Sequence, residues 1–421
     1  MINLDWIDKF ITEVKDYISV RKEDQTLILI PNQVFHLNET GFYLLNGLLT
    51  GSRIEDLTSG LGDEELKGIS DFFCDLRGLI RGCVREGEKR HAIEYLPFKR
   101  PFIKLPVLSE LAVTYRCNLS CRFCYNNGRK APEVSTDSLK LLIRAIAVDA
   151  KVPSISFTGG EPTLRHDLPE LIGFAKGLGL WTNLITNGTR LTEDYLKRLK
   201  RSGLDSIQIS IEAGDRKTHD FLTKVSGSFD RTIIGIKSAI RSGIRVHTNT
   251  TINRINQGSV LRLPLLLRSL GLTRFSMNLM IPVGIGRKDR SLWISYDEIG
   301  PTILAIKRIA REVGIEFIWY SPTPYCCFNP VAHQLGSKSC AACEGLLSIS
   351  PRGGILPCSS WPEEIGNLFE ASFDRIWFGE KAERIRAWSH KSCYTCSHKE
   401  VCRGGCPLFF EVLDCELHPL S

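Results

Sequence analysis

Three cysteines stand within eight residues of one another, Cys117-Asn-Leu-Ser-Cys121-Arg-Phe-Cys124, in the spacing C-x3-C-x2-C. Three thiolates on one short loop can hold three irons of a four-iron cluster, leaving the fourth iron to bind a substrate. Electron-transfer clusters usually have four cysteines. An open position on a metal is what permits chemistry there, as at catalytic zinc. Further along the chain stands Thr158-Gly159-Gly160-Glu161-Pro162. Its glycines let backbone approach a ligand closely, and its glutamate can receive an ammonium group. Polar residues recur after it: Asn187 in Thr186-Asn187-Gly188, then Ser210 and Glu212, suited to ribose hydroxyls, then Asn249 and Asn253. The run Pro282-Val283-Gly284-Ile285-Gly286-Arg287 has room for a flat ring.

The chain has 15 cysteines, and ten of them lie between positions 326 and 415. They read Cys340-x12-Gly353-x4-Cys358, then Cys393-x2-Cys396-x5-Cys402-x3-Cys406, then Cys415, with Cys326, Cys327 and Cys343 besides. The N-terminus, MINLDWIDKFITEVKDY, is acidic where a signal peptide needs a basic start and an apolar run. A cytoplasmic chain keeps its thiols reduced, so spaced cysteines read as metal ligands. One open cluster needs three cysteines and two fully ligated ones need four each. The chain can supply all eleven with four to spare, and among the spares Cys74 and Cys83 sit near apolar residues as simple core thiols. Two zinc ribbons are the competing reading of the C-terminal cysteines.

These groups must be positioned by a scaffold. With 421 residues, 43% of them hydrophobic and 24% charged, the chain is globular, with length for about three domains. No stretch of about 18 apolar residues exists, so no membrane helix is expected. The net charge is +7. A basic stretch at 81–104, with Arg81, Arg85, Lys89, Arg90, Lys99, Arg100 and Lys104, reads as a solvated linker or as a surface for an acidic partner. No nucleic-acid motif accompanies it.

Residues 1–95 form a small domain. Leu4, Ile7, Ile11, Val14 and Ile18 follow helical spacing, and two short strands at 26–30 and 33–37 flank a Pro-Asn turn. Asn38 caps a helix through 43–50, another helix runs near 63–80, and the whole suggests a winged helix. Residues 105–315 alternate strand and helix, with strands at 109–116, 154–157, 181–186, 206–211, 245–252 and 274–280. Such β–α repeats argue a parallel sheet, an α/β fold that is a partial (β/α)6 TIM-like barrel or an open sheet, with sites at the strands' C-terminal ends. A helix is expected over 136–150. Residues 320–421 lose periodicity, gain Cys, Gly and Pro, and carry one helix near 369–389.

The core resembles the radical S-adenosylmethionine (SAM) superfamily. The carriers are the Cys117, Cys121, Cys124 spacing, Phe123 before the third cysteine, and GGEP at 159–162 one strand later. The resemblance implies that the open iron chelates SAM, and that one electron from the reduced cluster cleaves it to methionine and a 5′-deoxyadenosyl radical that abstracts hydrogen. It implies SAM contacts from Phe123, Gly159, Gly160, Glu161, Pro162, Asn187, Ser210, Glu212 and Asn253, and an electron donor such as ferredoxin or flavodoxin.

The C-terminal cysteines resemble the SPASM extension, which implies two auxiliary [4Fe-4S] clusters. By that resemblance the first uses Cys340, Cys358, Cys406 and one upstream cysteine, Cys327 or its neighbour Cys326. The second uses Cys393, Cys396, Cys402 and Cys415. Cys343-x9-Gly353-x4-Cys358 fits the motif too, so Cys343 can replace Cys340, or can attack or anchor substrate. The segment ILIPNQVFHLNETGFYLLNGLLTGSRIEDL resembles the PqqD-like peptide-recognition domain, which implies binding of a precursor peptide's leader by strand addition.

Together these resemblances imply a peptide maturase acting on a ribosomally made precursor. The alternatives are a radical SAM oxidoreductase for a small molecule or tetrapyrrole, and a zinc-dependent binding protein. No nucleic-acid or membrane partner is expected.

Overall fold

The computed structural model describes residues 2–81, 92–94, 98–126, 132–413 and 417. Cys83, Cys415 and the basic residues Arg85, Lys89 and Arg90 lie outside them. The chain divides into two compact units, residues 1–107 and 108–421.

The first unit opens with a helix, Trp6–Val14, whose Ile7, Phe10, Ile11 and Val14 are buried. Ile18 does not continue that helix as its spacing suggests. It begins strand β1, Ile18–Arg21, which pairs antiparallel with β2, Thr26–Leu29, and β2 pairs in turn with β3, Gln33–His36. The coincidence has a physical source: Ile18 also suits a strand, where it faces Leu29 and is buried. β1 and β3 are the edges of this three-stranded sheet. Asn38 caps the helix Glu39–Leu49 by accepting from the Gly41 N–H at 2.7 Å. Helices Ile54–Leu57 and Asp63–Ile80 complete the unit. Ile7, Leu45 and Phe73, all wholly buried, anchor a core of its own.

In the second unit the six expected strands form in order: β4 Leu108–Thr114, β5 Ser154–Gly159, β6 Trp181–Thr186, β7 Ser206–Ser210, β8 Arg245–Ile252 and β9 Arg274–Leu279. Each pairs parallel with the next. Ile155, Phe157, Leu184, Ile207 and Phe275 are fully buried, as expected where helices cover a parallel sheet. The sheet is longer than six strands. β10, Glu316–Trp319, extends it parallel to β9. β11, Leu346–Ile349, extends the other side parallel to β4, followed by antiparallel β12, Gly354–Leu356, and β13, Gly366–Asn367. Among the described residues the sheet is a ten-stranded open arc, a partial barrel ending in β10 and β13. The cysteine-rich segment thus joins the barrel's own sheet.

Two expected helices are broken. The helix of 136–150 is α-helical over Thr136–Arg144 and widens to a π turn over Ala145–Asp149. The one near 369–389 is two short helices, Phe373–Trp377 and Glu380–Arg386, separated at Gly379. A Cβ at Gly379 would meet the Arg375 carbonyl at 2.8 Å. Among the described residues no helix is long and apolar enough to cross a membrane.

Candidate active site and auxiliary metal centres

β4 and β5 lose register between Ala112 and Thr114, immediately before the first cysteine loop. An irregularity at a strand end re-aims the chain that follows it. The loop is then pinned from several elements. Ser120 and Arg122 donate backbone N–H groups to the carbonyls of Thr223 and Leu222. Asn118 bridges to β6's end, donating to Thr189 Oγ1 and accepting from Asn187 Nδ2, both at 2.9 Å. Arg122 pairs with Asp289 at 2.7 Å. Ile285 donates to the Cys124 carbonyl.

Gly284 explains the segment 282–287 better than a space for a flat ring. Its φ is +55, and a Cβ there would meet the Cys124 and Tyr125 carbonyls at 2.6 and 2.7 Å. The segment closes on the cysteine loop.

The three thiols influence one another. Burial pushes Cys121 well above the ordinary thiol range, and Glu212, Cys124 and Cys117 add to it. Although part of Cys117 is open to solvent, desolvation pushes its thiol up to about 11, against the opposing pull of the Leu119 N–H and Asn187. Such thiols hold their protons until a metal replaces them.

A Cβ on Gly159 would lie 2.0 Å from the Thr114 carbonyl oxygen, and one on Gly160 would lie 2.2 Å from that of Arg116. The glycines therefore let β5's end close on the start of the cysteine loop, where Gly160 and Glu161 donate N–H groups to those two carbonyls. Glu161 is fully buried, and its carboxylate is turned inward. It accepts from the Thr163 N–H and hydroxyl and the Thr186 hydroxyl through one oxygen, and from the Asn187 N–H through the other. This side chain ties β5 to β6.

Gly160→Ala is accordingly expected to displace the cysteine loop, costing on the order of 1–3 kcal/mol of stability from overpacking and about four irons per chain. Thermal unfolding and iron content check it. An unchanged melting temperature and iron count would contradict the close-packing role.

The remaining expected residues fall around the same end of the sheet. Phe123 packs beside the small cluster of Leu222, Met280 and Leu292. Pro162 is buried. Ser210 ends β7, level with Asn249 of β8. Burial pushes Glu212 up to about 8, opposed by the Thr251 N–H. Asn253 is fully buried and closes the turn after β8, accepting from the N–H groups of Ile255 and Asn256. Sequence reasoning passed over Asn126, whose amide donates to the Gly159 carbonyl at 2.9 Å and so links the cysteine loop to β5. Its only signal was its place two residues after Cys124.

A second thiol group joins Cys340, Cys358 and Cys406. Each of the latter two is raised chiefly by burial and then by its partners in this set. Cys406 is fixed by its N–H, which donates to the Tyr296 hydroxyl at 3.1 Å. Cys343 stands beside Cys340, fully buried, at φ +55, and its thiol is pushed up to about 12 by desolvation. A third group contains Cys393, Cys396, Cys402 and Cys326. Cys327 is set against Cys326 and Asp297. Arg403, buried and at φ +59, braces this region by donating to the carbonyls of Ile385, Arg386 and Trp388.

All three groups are built from soft thiol donors, which suit iron–sulfur clusters or zinc. Among the described residues no three Cys, His, Asp or Glu side chains converge on a single-ion position.

Comparison with known proteins decides between these. Residues 111–263 match the radical SAM superfamily, and residues 340–406 match SPASM, an iron-sulfur cluster-binding domain. The PqqA peptide cyclase of Xanthomonas campestris pv. campestris is 32% identical over 320 residues, 72% of this chain and 81% of that protein. The AdoMet-dependent heme synthase of Nitratidesulfovibrio vulgaris is 30% identical over 325 residues, 70% of this chain and 85% of that one. Among solved structures, Streptococcus suis SuiB bound to its precursor peptide SuiA superposes with a TM-score of 0.69 at 19% identity. That superposition spans 93% of this chain and 95% of the other, and shows a shared fold. The cofactors are therefore SAM with its [4Fe-4S] cluster, and auxiliary iron–sulfur clusters in the C-terminal region. The chain belongs to the radical SAM superfamily and carries its SPASM extension.

Proposed function

We propose that this enzyme is a peptide maturase that abstracts hydrogen from a ribosomally made precursor peptide and oxidises it, forming a cross-link or a related modification. The observation that carries this reading is the first unit. It is a separate small domain whose three-stranded sheet has two edges, in a chain that also holds a radical SAM core and SPASM cysteines. Residues 1–107 are about a quarter of the chain, so a superposition spanning 93% must include most of them. SuiB, the protein so matched, is bound to a precursor peptide, and the curated relative named above is a peptide cyclase. We assign residues 1–95 to leader recognition in the PqqD-like manner, 105–315 to the radical SAM core and 320–421 to the SPASM region. A leader adding a strand to a sheet edge gains affinity from main-chain hydrogen bonds and selectivity from alternate side chains.

In the core, Cys117, Cys121 and Cys124 would hold the SAM cluster, and SAM bound there supplies the hydrogen-abstracting radical. The chain's own contribution is placement. Asn118, Asn126, Arg122 and Gly284 fix the cysteine loop against the ends of β5, β6 and the segment after β9. Glu161 locks β5 to β6 and so fixes Asn187 at the end of β6. Rigid placement of the reacting carbon, with water excluded, is what such chemistry asks of a protein. The net reaction is an oxidation, which makes the enzyme an oxidoreductase, fed by a low-potential ferredoxin or flavodoxin in the cytoplasm.

The heme synthase relative favours a second reading, a tetrapyrrole substrate. Reduced holoenzyme with SAM, offered each substrate class in turn, separates the two. The proposal expects a leader-bearing peptide to lose the mass of hydrogens removed in pairs. Conversion of a tetrapyrrole, with the peptide unchanged, would replace it.

A further inference from the structure

The inner face of strands β8 to β10 carries amides and hydroxyls, where a barrel is ordinarily filled by branched apolar side chains. Side chains alternate along a strand. Phe275, Met277 and Trp319 share one face and are wholly buried. Asn249, Ser276, Asn278 and Tyr320 fall on the other face, in register across the three strands. They are joined to one another. The Ser276 hydroxyl donates to Asn249 Oδ1 at 2.9 Å, and Asn249 Nδ2 donates to Asn278 Oδ1 at 2.7 Å. The Tyr320 hydroxyl shares a hydrogen bond with Ser276. Asn278 keeps donor capacity, because its amide nitrogen reaches the Thr251 hydroxyl and the Leu279 carbonyl only at 3.5 Å. The row lies towards the cysteine loop, since Met280, two residues beyond Asn278, belongs to the cluster on which Phe123 packs.

Lys338 adds a charge to this row. It comes from the segment between β10 and Cys340 and sets its ammonium 5.7 Å from the centre of the Tyr320 ring. It is half-buried, and no carboxylate offsets that burial among the described residues. A lysine drawn from water is ordinarily paired. We propose that Lys338, with Tyr320 and Asn278, forms a subsite for a carboxylate of the substrate. The inference deepens the peptide-maturase reading and rests on it: the core segment of the precursor carries an aspartate or glutamate that docks here. The ammonium makes a charge-assisted hydrogen bond to the carboxylate, and the hydroxyl and amide fix its orientation. Docking one acidic side chain at the ends of β9 and β10 then sets which neighbouring carbon faces the SAM cluster.

The test uses reduced full-length holoenzyme with SAM and a leader-bearing precursor peptide. Each Asp and Glu of the core segment is changed in turn to Asn or Gln. Every peptide is given to wild type, Lys338→Met and Lys338→Arg. At one acidic position, neutralisation is expected to lower the wild-type kcat/KM about ten- to a hundredfold. Lys338→Met should lose a similar factor on the unaltered peptide, through KM, and little more on the neutralised one, because both changes remove one interaction. Lys338→Arg keeps the charge and should recover most of the loss. Losses that multiply in the double change would overturn the proposal. The wild-type arm needs no variant to fold: equal turnover of every neutralised peptide would overturn it alone. Tetrapyrroles also carry carboxylates. Wild-type enzyme that leaves the peptide unchanged, and converts a tetrapyrrole but not its methyl ester, would sink the peptide reading and keep the carboxylate subsite.

Discussion

Cys124→Ala should abolish SAM cleavage and leave the auxiliary iron in place. Cys124 is one of only three thiols in its loop, and the loop is fixed by contacts to Leu222, Thr223 and Ile285 rather than by the C-terminal cysteines. Removing it leaves Cys117 and Cys121, too few to hold a four-iron cluster. The auxiliary thiols are supported separately, Cys406 by Tyr296 and Cys402 by Tyr325. Iron should therefore fall by about four of roughly twelve per chain, with no 5′-deoxyadenosine released. Loss of all the iron would contradict separately supported sites. Retained SAM cleavage would remove Cys124 from the cluster.

Removing residues 1–107 should spare SAM cleavage and cut turnover of a leader-bearing peptide by about 10²–10⁴-fold, the usual gain from tethering two binding events. The first unit buries its own core around Ile7, Leu45 and Phe73, and the barrel buries another around Phe157, Ile207 and Phe275. Uncoupled SAM cleavage and peptide turnover at low substrate concentration check both halves. Unchanged peptide turnover would take leader recognition away from this unit. Loss of SAM cleavage would show that the barrel depends on it.

The cysteine spacings and the six barrel strands were readable because each rests on local pattern. Strands such as Ser154–Gly159 read from their alternation, Ser-Ile-Ser-Phe, and thiol ligands cluster in sequence. Among the strands that were missed, β10 and β11 are four residues each and owe their place to pairing partners far away, Arg274–Leu279 and Leu108–Thr114. Ile18 obeyed two periodicities at once, and only its partner Leu29 decides between them.

At the site, residue type was legible and direction was not. The GGEP glycines, read as letting backbone approach a ligand, admit the backbone of β4's end. Glu161, read as able to receive an ammonium group, accepts hydrogen bonds from Thr163, Thr186 and Asn187. Cys326 was not separable from Cys327 in sequence, since adjacent residues differ only in which way the backbone turns them. Cys326 lines a cavity with Cys393, Cys396 and Cys402.

The central claim is hydrogen abstraction from a peptide. It is tested most directly with a leader-bearing precursor peptide deuterated in its core segment, incubated with SAM and the reduced full-length enzyme. The account predicts deuterium in the 5′-deoxyadenosine formed, together with an oxidised peptide. Deoxyadenosine free of deuterium, with every labelled position of the peptide intact, would contradict it.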